Sequence, residues 1–545
     1  MKLVKDFVSD LKNEFSGYNK VSLGKDIMAG CTVTAVALPL ALAFGVSCGA
    51  TASSGLITAI IAGIVISAFS GAFYQISGPT GAMAAILFPI AMKSGLEGVF
   101  LAGLISGVLL LIAGFLKLGK LTSYIPMPVV TGFTSGIAII IATGQIDNLF
   151  GVTSEGENLI QKLVSYGELG FSPNYTTLVI GLCVIVFMVL FPKKWSAIVP
   201  SSLLAIILAT AVSIIFKLPA ITVGEIPQSL MLENRLHVST ISFETVRHYL
   251  GPATSIALLG MIESLLCGAS AGRMTGVRLK SDRELIAQGV GNIIVPFFGG
   301  VPATAAIART SVAIKSGAQT RLTGIVHGIG LLISMLVLAP IMSQIPLSAL
   351  SGVLIVTAFR MNEWETIRKI FKGKFKGAIA KFLVTMIATV IFDLTIAIVA
   401  GVVLSLFILI AKLANLEIAY DKVDTDKMHI TDPEIAKKYD DTMVAYIMGT
   451  MIFANTTTIE EIPQNIGKTK RLIVSMRGVS NIDISSAQTL YEVVEGLQKR
   501  GVEVMFCGWS PAVEKMMHRS HIIELVGEDK IFKAANYALS AVSKL

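Results

Sequence analysis

The chain has 545 residues, 53% of them hydrophobic and 15% charged, with a mean hydropathy of +0.74. That balance excludes a chain of ordinary soluble domains and points to a polytopic α-helical membrane protein. The net charge of +8 is spread over short loops between apolar runs instead of forming one patch with interleaved aromatics, which argues against nucleic acid as a partner.

The first 25 residues carry Lys2, Lys5, Asp6, Asp10 and Glu14 and hold no apolar stretch before a small-residue cleavage site, so residues 1–25 are expected to be a cytoplasmic segment with no cleavable signal. A transmembrane domain is expected over 26–415, as two repeats at about 26–218 and 250–415. Spans of the first repeat are predicted near 28–46, 54–71, 80–92, 97–116, 126–144, 176–192 and 196–216. Those of the second are predicted near 252–271, 284–298, 303–314, 322–341, 346–359, 377–392 and 394–411. That makes about fourteen, several too short for a ~30 Å hydrocarbon core. Cysteines 31, 48, 183, 267 and 507 are scattered without metal-ligand spacing and are read as free thiols.

Alternate connections are basic: Lys117 and Lys120; Lys193 and Lys194; Arg273, Arg278, Lys280 and Arg283; Lys315 and Arg321; then Arg360, Arg368, Lys369, Lys372, Lys374 and Lys376. The opposite-side loop 145–175 has Asp147, Glu155, Glu157 and Glu168 against one lysine, Lys162. Positive-inside bias places both termini in the cytoplasm.

The third span of each half is interrupted in a matching way. The first reads Tyr74-Gln75-Ile76-Ser77-Gly78-Pro79-Thr80-Gly81-Ala82-Met83, and the second Phe297-Phe298-Gly299-Gly300-Val301-Pro302-Ala303-Thr304-Ala305-Ala306. Each is an extended stretch, then Gly and Pro, then small residues expected to open a short half-helix with its N–H groups uncovered. Paired interrupted segments of this kind point to a midplane site in inverted-repeat transporters, where helix N-termini attract anions. The plainer reading, two long helices merely kinked, stays open at this stage.

Glu263 falls mid-span in Ala257-Leu258-Leu259-Gly260-Met261-Ile262-Glu263-Ser264, where a carboxylate needs compensation. Arg309, expected about two turns into the second half-helix, is its nearest partner by architecture, and Cys267 shares a helix face with it at i, i+4. Two readings remain: Glu263 carries a coupling proton or helps bind Na⁺, or it is a fixed structural group paired with Arg309 or with unwound backbone. Asp393 is expected to cap the last span, and His327, inside a span, to be held by packing in preference to relaying protons.

After about residue 415 the period changes. A linker is expected over 416–440 and a small α/β domain over 441–545: strand 442–453, helix 456–466, strand 471–475, helix 485–500, strand 502–507, helix 512–518 and helix 530–542. Asp483, Ser485 and Ser486 are read as a helix cap before a phosphorylation site. No phosphate loop, metal spacing or nucleophile arrangement appears, so neither enzymatic activity nor a cofactor is expected.

The phrases LPLALAFGV, GLITAIIAG, QISGPTGAM, ALLGMIESLL, ELIAQG and IARTSVAIKSGAQTR resemble the sulfate permease (SulP) family over nearly the whole chain. RLIVSMRGVSNIDISSAQTL and GVEVMFCG resemble its STAS domain. The resemblance implies a 7+7 inverted repeat divided into core and gate domains, elevator-like movement of the core, a homodimer and a bacterial plasma membrane location. It also implies a substrate site between the half-helix starts, at Gly78, Thr80, Gly81 and Ala82 and at Ala303, Thr304, Ala305 and Ala306, with Phe44 beside it. Glu263 and Cys267 fall at the position tied to coupling, and Arg309 at the basic residue of anion-handling members.

The expected function is a secondary active transporter of a small anion, sulfate or a C4-dicarboxylate, as an H⁺ symporter. Alternatives are Na⁺-coupled bicarbonate transport, and a non-transporting anion sensor that signals through STAS to a cytoplasmic protein partner. Expected partners are the anion, H⁺ or Na⁺, membrane lipid and a second copy of the chain, with no metal site.

Overall fold

A computed structural model of the protein describes residues 2–155, 159–192, 195, 199–392, 394–423 and 439–544. Glu157, Lys193, Lys194, the expected cap Asp393 and residues 424–438 of the expected linker lie outside the described residues. The chain forms two compact units, Met1–Val402 and Val403–Leu545.

In the first unit, α1 (Lys2–Glu14) precedes α2 (Lys20–Ser47), α3 (Ala52–Phe69), α4 (Gly81–Phe115), α5 (Met127–Gly144), α6 (Ile146–Phe150), α7 (Leu159–Leu169), α8 (Tyr175–Leu190) and α9 (Ser201–Ile215). The second repeat supplies α10 (Phe243–Thr275), α11 (Ser281–Ile294), α12 (Ile307–Lys315), α13 (Leu322–Met342), α14 (Leu347–Met361), α15 (Trp364–Lys372), α16 (Lys376–Ile391) and α17 (Leu394–Leu413). Among the described residues, seven helices are long and apolar enough to cross a membrane, and α8, α9 and α14 are shorter apolar helices. α4 is continuous in hydrogen bonding but broken at Gly95, whose positive φ of 66° separates a half-helix from a full span, the two spans expected near 80–92 and 97–116.

Local chemistry fixes the helix starts. Asn19 and Thr51 cap α2 and α3 through their side chains, Ser242 and Thr245 form a reciprocal cap on α10, and prolines 126, 200 and 346 open α5, α9 and α14. Packing sorts the spans into two groups. α2, α3 and α4 pack with α10 to α13, and α5, α8 and α9 with α14 and α16. These are the core and the gate. Where the repeats meet, two two-residue strands pair antiparallel: β1 (Ser77–Gly78) with β2 (Thr304–Ala305), Ser77 opposite Ala305 and Gly78 opposite Thr304. The outer faces of α8 and α13 expose Val179, Leu182 and Val186, and Ile329, Ile333, Leu336 and Ile341, an apolar surface suited to lipid.

The first helix is stapled to the core. Glu14 accepts from the Arg321 backbone N–H and from two guanidinium nitrogens, at 2.7–2.8 Å, and both side chains are almost fully buried. Asp10 pairs with Arg283 and Lys280, and Asp26 accepts from Thr320, Thr323, Tyr18 and the Gln319 backbone.

The second unit holds a five-stranded sheet in the order β3 (Glu417–Lys422), β4 (Thr442–Met451), β5 (Arg471–Ile482), β6 (Glu503–Cys507) and β7 (Ile531–Phe532), parallel except for β3 against β4. Side chains alternate between faces. Ala445, Val474 and Phe506 pack with Leu490 and Val513 on one face, and Val444, Ile473 and Met505 with Ala538 and Val542 on the other. Each such fully buried Val or Leu contributes about 1.5–3 kcal/mol. Three expectations change here. Residues 417–422, counted with the linker, form an edge strand whose exposed residues hide the strand alternation. The helix expected over 456–466 is two short helices, Thr456–Glu460 and Ile462–Asn465, with Pro463 in the second. Residues 531–532 leave the helix expected over 530–542 and pair with β6, so that the helix starts at Ala535. Asp483 caps the helix Ile484–Lys499 by accepting from Ser486 N–H at 2.8 Å.

Candidate functional site

The α4 half-helix starts at Gly81, with Thr80 as its cap. The Thr80 hydroxyl accepts from Met83 N–H at 3.4 Å and donates to Glu263 Oε2 at 3.1 Å. The backbone N–H groups of Gly81 and Ala82 make no hydrogen bond among the described residues. This cap therefore ties an N-terminal anion-binding geometry directly to the carboxylate of α10.

The second half-helix begins later than expected. Thr304 and Ala305 are taken into the ladder with Ser77 and Gly78, Ala306 becomes the cap, and α12 opens at Ile307. Arg309 accordingly lies in the first turn, not two turns in. Pro302, matched in sequence with Pro79, sits before the strand and not at the helix start; small residues before a half-helix read the same whether they enter it or pair across to the other repeat. Ile307, Ala308 and Arg309 also leave their N–H groups unbonded among the described residues.

Arg309 is 1% exposed and crosses to the other repeat, where Nη2 donates to the Pro79 carbonyl at 2.9 Å. Its Nη1 has no hydrogen-bond partner among the described residues and lies against Gly78, where an added Cβ would come within 2.6 Å. Gly78 is required here for close approach of the guanidinium. Glu263 and Arg309 make no ion pair within 4.0 Å, so in place of the alternative reading of a fixed pair there is the Thr80 hydrogen bond on one side and the Pro79 carbonyl on the other. Cys267 does share the buried side of α10, but its thiol donates to Thr310 Oγ1 at 3.3 Å, away from Glu263.

The structure brings Gly78, Thr80, Gly81, Ala82, Thr304, Ala305, Ala306, Arg309 and Glu263 around the two-strand bridge. Ala303 is behind it, held by a reciprocal pair with Asn292: Ala303 N–H to Oδ1 at 2.7 Å and Nδ2 to the Ala303 carbonyl at 2.9 Å. Phe44 and Gly81 line a cavity of about 860 Å³ between the core and gate groups. His327 is fully buried, with Nδ1 3.4 Å from the Thr34 hydroxyl.

Sequence reasoning missed the groups that make irregular backbone tolerable at this depth. Thr58 accepts from Val301 N–H at 2.7 Å, Ser264 meets Thr304 at 2.9 Å, and Gln288 bridges Ser77 and Glu284. Glu284 is fully buried and accepts from the Ser70 hydroxyl at 2.6 Å and Gly71 N–H at 3.0 Å. The signal was present: Glu284, Gln288 and Asn292 recur every four residues along one face of α11.

A family model described as the sulfate permease family matches residues 23–388, and one described as the STAS domain matches residues 435–538. The chain is 34% identical to the putative sulfate transporter YvdB of Bacillus subtilis, over 95% of this chain and 97% of that one. It is 28% identical to the bicarbonate transporter BicA of Picosynechococcus sp., over 94% of each. The solved transmembrane domain of a cyanobacterial bicarbonate transporter BicA superposes with a TM-score of 0.64 at 29% identity, covering 70% of this chain and 97% of that one. Murine Solute Carrier 26 family member A9, an anion transporter in the inward-facing state, shares the fold with a TM-score of 0.84 at 18% identity, covering 99% of this chain and 95% of that one. The chain thus belongs to the sulfate permease family, as a multi-pass membrane transporter with a C-terminal STAS domain.

Proposed function

We propose that the protein is a secondary active transporter that carries a small oxyanion or carboxylate, sulfate or a C4-dicarboxylate first, into the bacterial cytoplasm together with H⁺. The anion binds between the starts of α4 and α12, held by free helix N–H groups and the unpartnered Nη1 of Arg309, with Phe44 beside it. The single observation that carries this reading is the Thr80 hydroxyl, which joins the cap of the α4 half-helix to Glu263. An ionised Glu263 repels an incoming anion, and a protonated one does not. The proton and the anion therefore favour each other's binding, and linkage makes that preference reciprocal. Both termini and the STAS domain face the cytoplasm in this reading, and the protein works as a homodimer.

A second reading, Na⁺-coupled bicarbonate transport, is favoured by the similarity to BicA over nearly the full chain. Proteoliposome uptake of labelled sulfate, fumarate and bicarbonate, under an inward pH or Na⁺ gradient, decides between them. Sulfate or fumarate accumulating with the pH gradient is expected, with Glu263→Gln retaining anion binding and losing the accumulation. Dependence on Na⁺, or proton-driven uptake that survives Glu263→Gln, would sink proton coupling. Binding without movement of any anion would favour the sensor reading.

A further inference from the structure

The cavity that reaches Phe44 and Gly81 at its inner end is lined toward loop 145–175 by Gln145, Asp147, Asn148 and Lys162. Lys162 is the basic residue of an otherwise acidic loop, and its side chain is turned inward on α7, only 13% exposed. Its ammonium sits 4.2 Å from the centre of the Phe88 ring and 3.9 Å from Asp147 Oδ2. No hydrogen bond reaches its three N–H donors among the described residues.

Asp147 is the ion-pair partner of Lys162, but at the long distance of 3.9 Å and without a hydrogen bond, while the Asp147 oxygens are held by two closer donors. Oδ2 accepts from the Ser154 hydroxyl and Oδ1 from the Tyr166 hydroxyl, each at 2.6 Å. Burial, with the bond to Asp147, pushes the Tyr166 hydroxyl up to about 12, so it stays protonated and keeps donating. Burial pulls the Lys162 ammonium below the usual lysine range, and Asp147 opposes that only in part. A largely desolvated cation, held by one long ion pair and no hydrogen bond among the described residues, faces a cavity wide enough for a hydrated oxyanion and can take an anion as a closer partner.

We infer that Lys162 forms an outer anion subsite, which receives the substrate anion on the loop 145–175 face before it reaches the half-helix starts, and that Asp147 limits how tightly it is held. Substrate passes from this ammonium along the Phe88 side of α4 to Gly81. The inference rests on anion transport as the function, and it assigns a recognition role to a residue outside the two repeat breaks.

The test uses full-length protein in detergent and in proteoliposomes, with sulfate, fumarate and bicarbonate as probes. Lys162→Met keeps the aliphatic stem over Phe88 and removes the charge. It is expected to weaken equilibrium binding of the preferred anion on the order of 10-fold, the scale of a lost hydrogen bond to a charged group. Lys162→Arg should restore it, and Asp147→Asn should tighten it. Uptake measured from the loop face should show the same change in KM with kcat retained, and the anion should slow labelling of Lys162 by an amine-directed reagent. Unchanged binding in Lys162→Met for all three anions, failure of Lys162→Arg to restore it, or absence of protection overturns the inference. If the anion binds through Lys162 yet none is moved, the transport reading fails and the subsite stands. If transport proceeds with unaltered affinity in Lys162→Met, the subsite alone fails.

Discussion

The Thr80 hydroxyl serves two neighbours at once, accepting from the helix it caps and donating to Glu263. Arg309 is positioned in the same economical way, with one guanidinium nitrogen spent on the Pro79 carbonyl and another left without a partner beside Gly78. An added methyl at Gly78 meets Nη1 at 2.6 Å, inside any tolerable contact, and the guanidinium has to move. Gly78→Ala is therefore expected to cost about 1–3 kcal/mol locally and to lower anion affinity about tenfold or more, while the ratio of uptake with and without a pH gradient is preserved. Uptake kinetics at two pH gradients check this, and unchanged affinity would remove Arg309 from the substrate site. Glu263 and Arg309 were legible in the sequence because a charge inside an apolar run stands out. The exact start of α12 was not, since Ala303 to Ala306 satisfy a helix start and a strand equally well, and the choice is made by Ser77 and Gly78 in the other repeat.

At the scale of elements, α4 and α11 cross with their backbones in contact, because Gly107 and Gly289 face one another. A Cβ on Gly289 would lie 2.8 Å from both the Gly107 carbonyl oxygen and the Leu111 nitrogen, neither of which can swing away. Helices in lipid gain from such close packing more than from hydrophobic burial, since the surrounding chains are as apolar as the side chains. Gly289→Ala is expected to lower the thermal midpoint in detergent by the equivalent of about 1–3 kcal/mol. Gly167→Ala on α7, where nothing lies within 4 Å, should be neutral or slightly stabilising. Equal shifts in the two variants would mean that the crossing is looser than this geometry. Most spans were readable from hydropathy alone. The two-residue strands were not, because a ladder that short leaves no periodicity, and its partners come from opposite repeats.

For the whole molecule, the charge pattern of the loops sets an expected orientation, in which positive-inside bias puts the acidic loop 145–175 opposite the basic links. Ser172→Cys is exposed in that loop and Ser9→Cys is exposed on α1. A membrane-impermeant maleimide applied to intact cells is expected to label Ser172→Cys, and to reach Ser9→Cys only after permeabilisation. The reverse pattern would invert the topology and place Lys162 on the cytoplasmic face. The α/β character of the C-terminal unit was legible from its change of period, whereas its edge strand Glu417–Lys422 was hidden because only its pairing with β4 marks it as a strand.

The bridge between Ser77–Gly78 and Thr304–Ala305 also bears on how the protein is made. When the first repeat leaves the ribosome, the strand before α4 has no mate, and its peptide groups face a membrane interior with nothing to bond until most of the second repeat has been inserted. Completion of the bridge therefore waits on the second repeat, and until that repeat arrives the central seam of the first stays open. Two separately synthesised halves can become competent only by finding each other, because each half carries one edge of that seam.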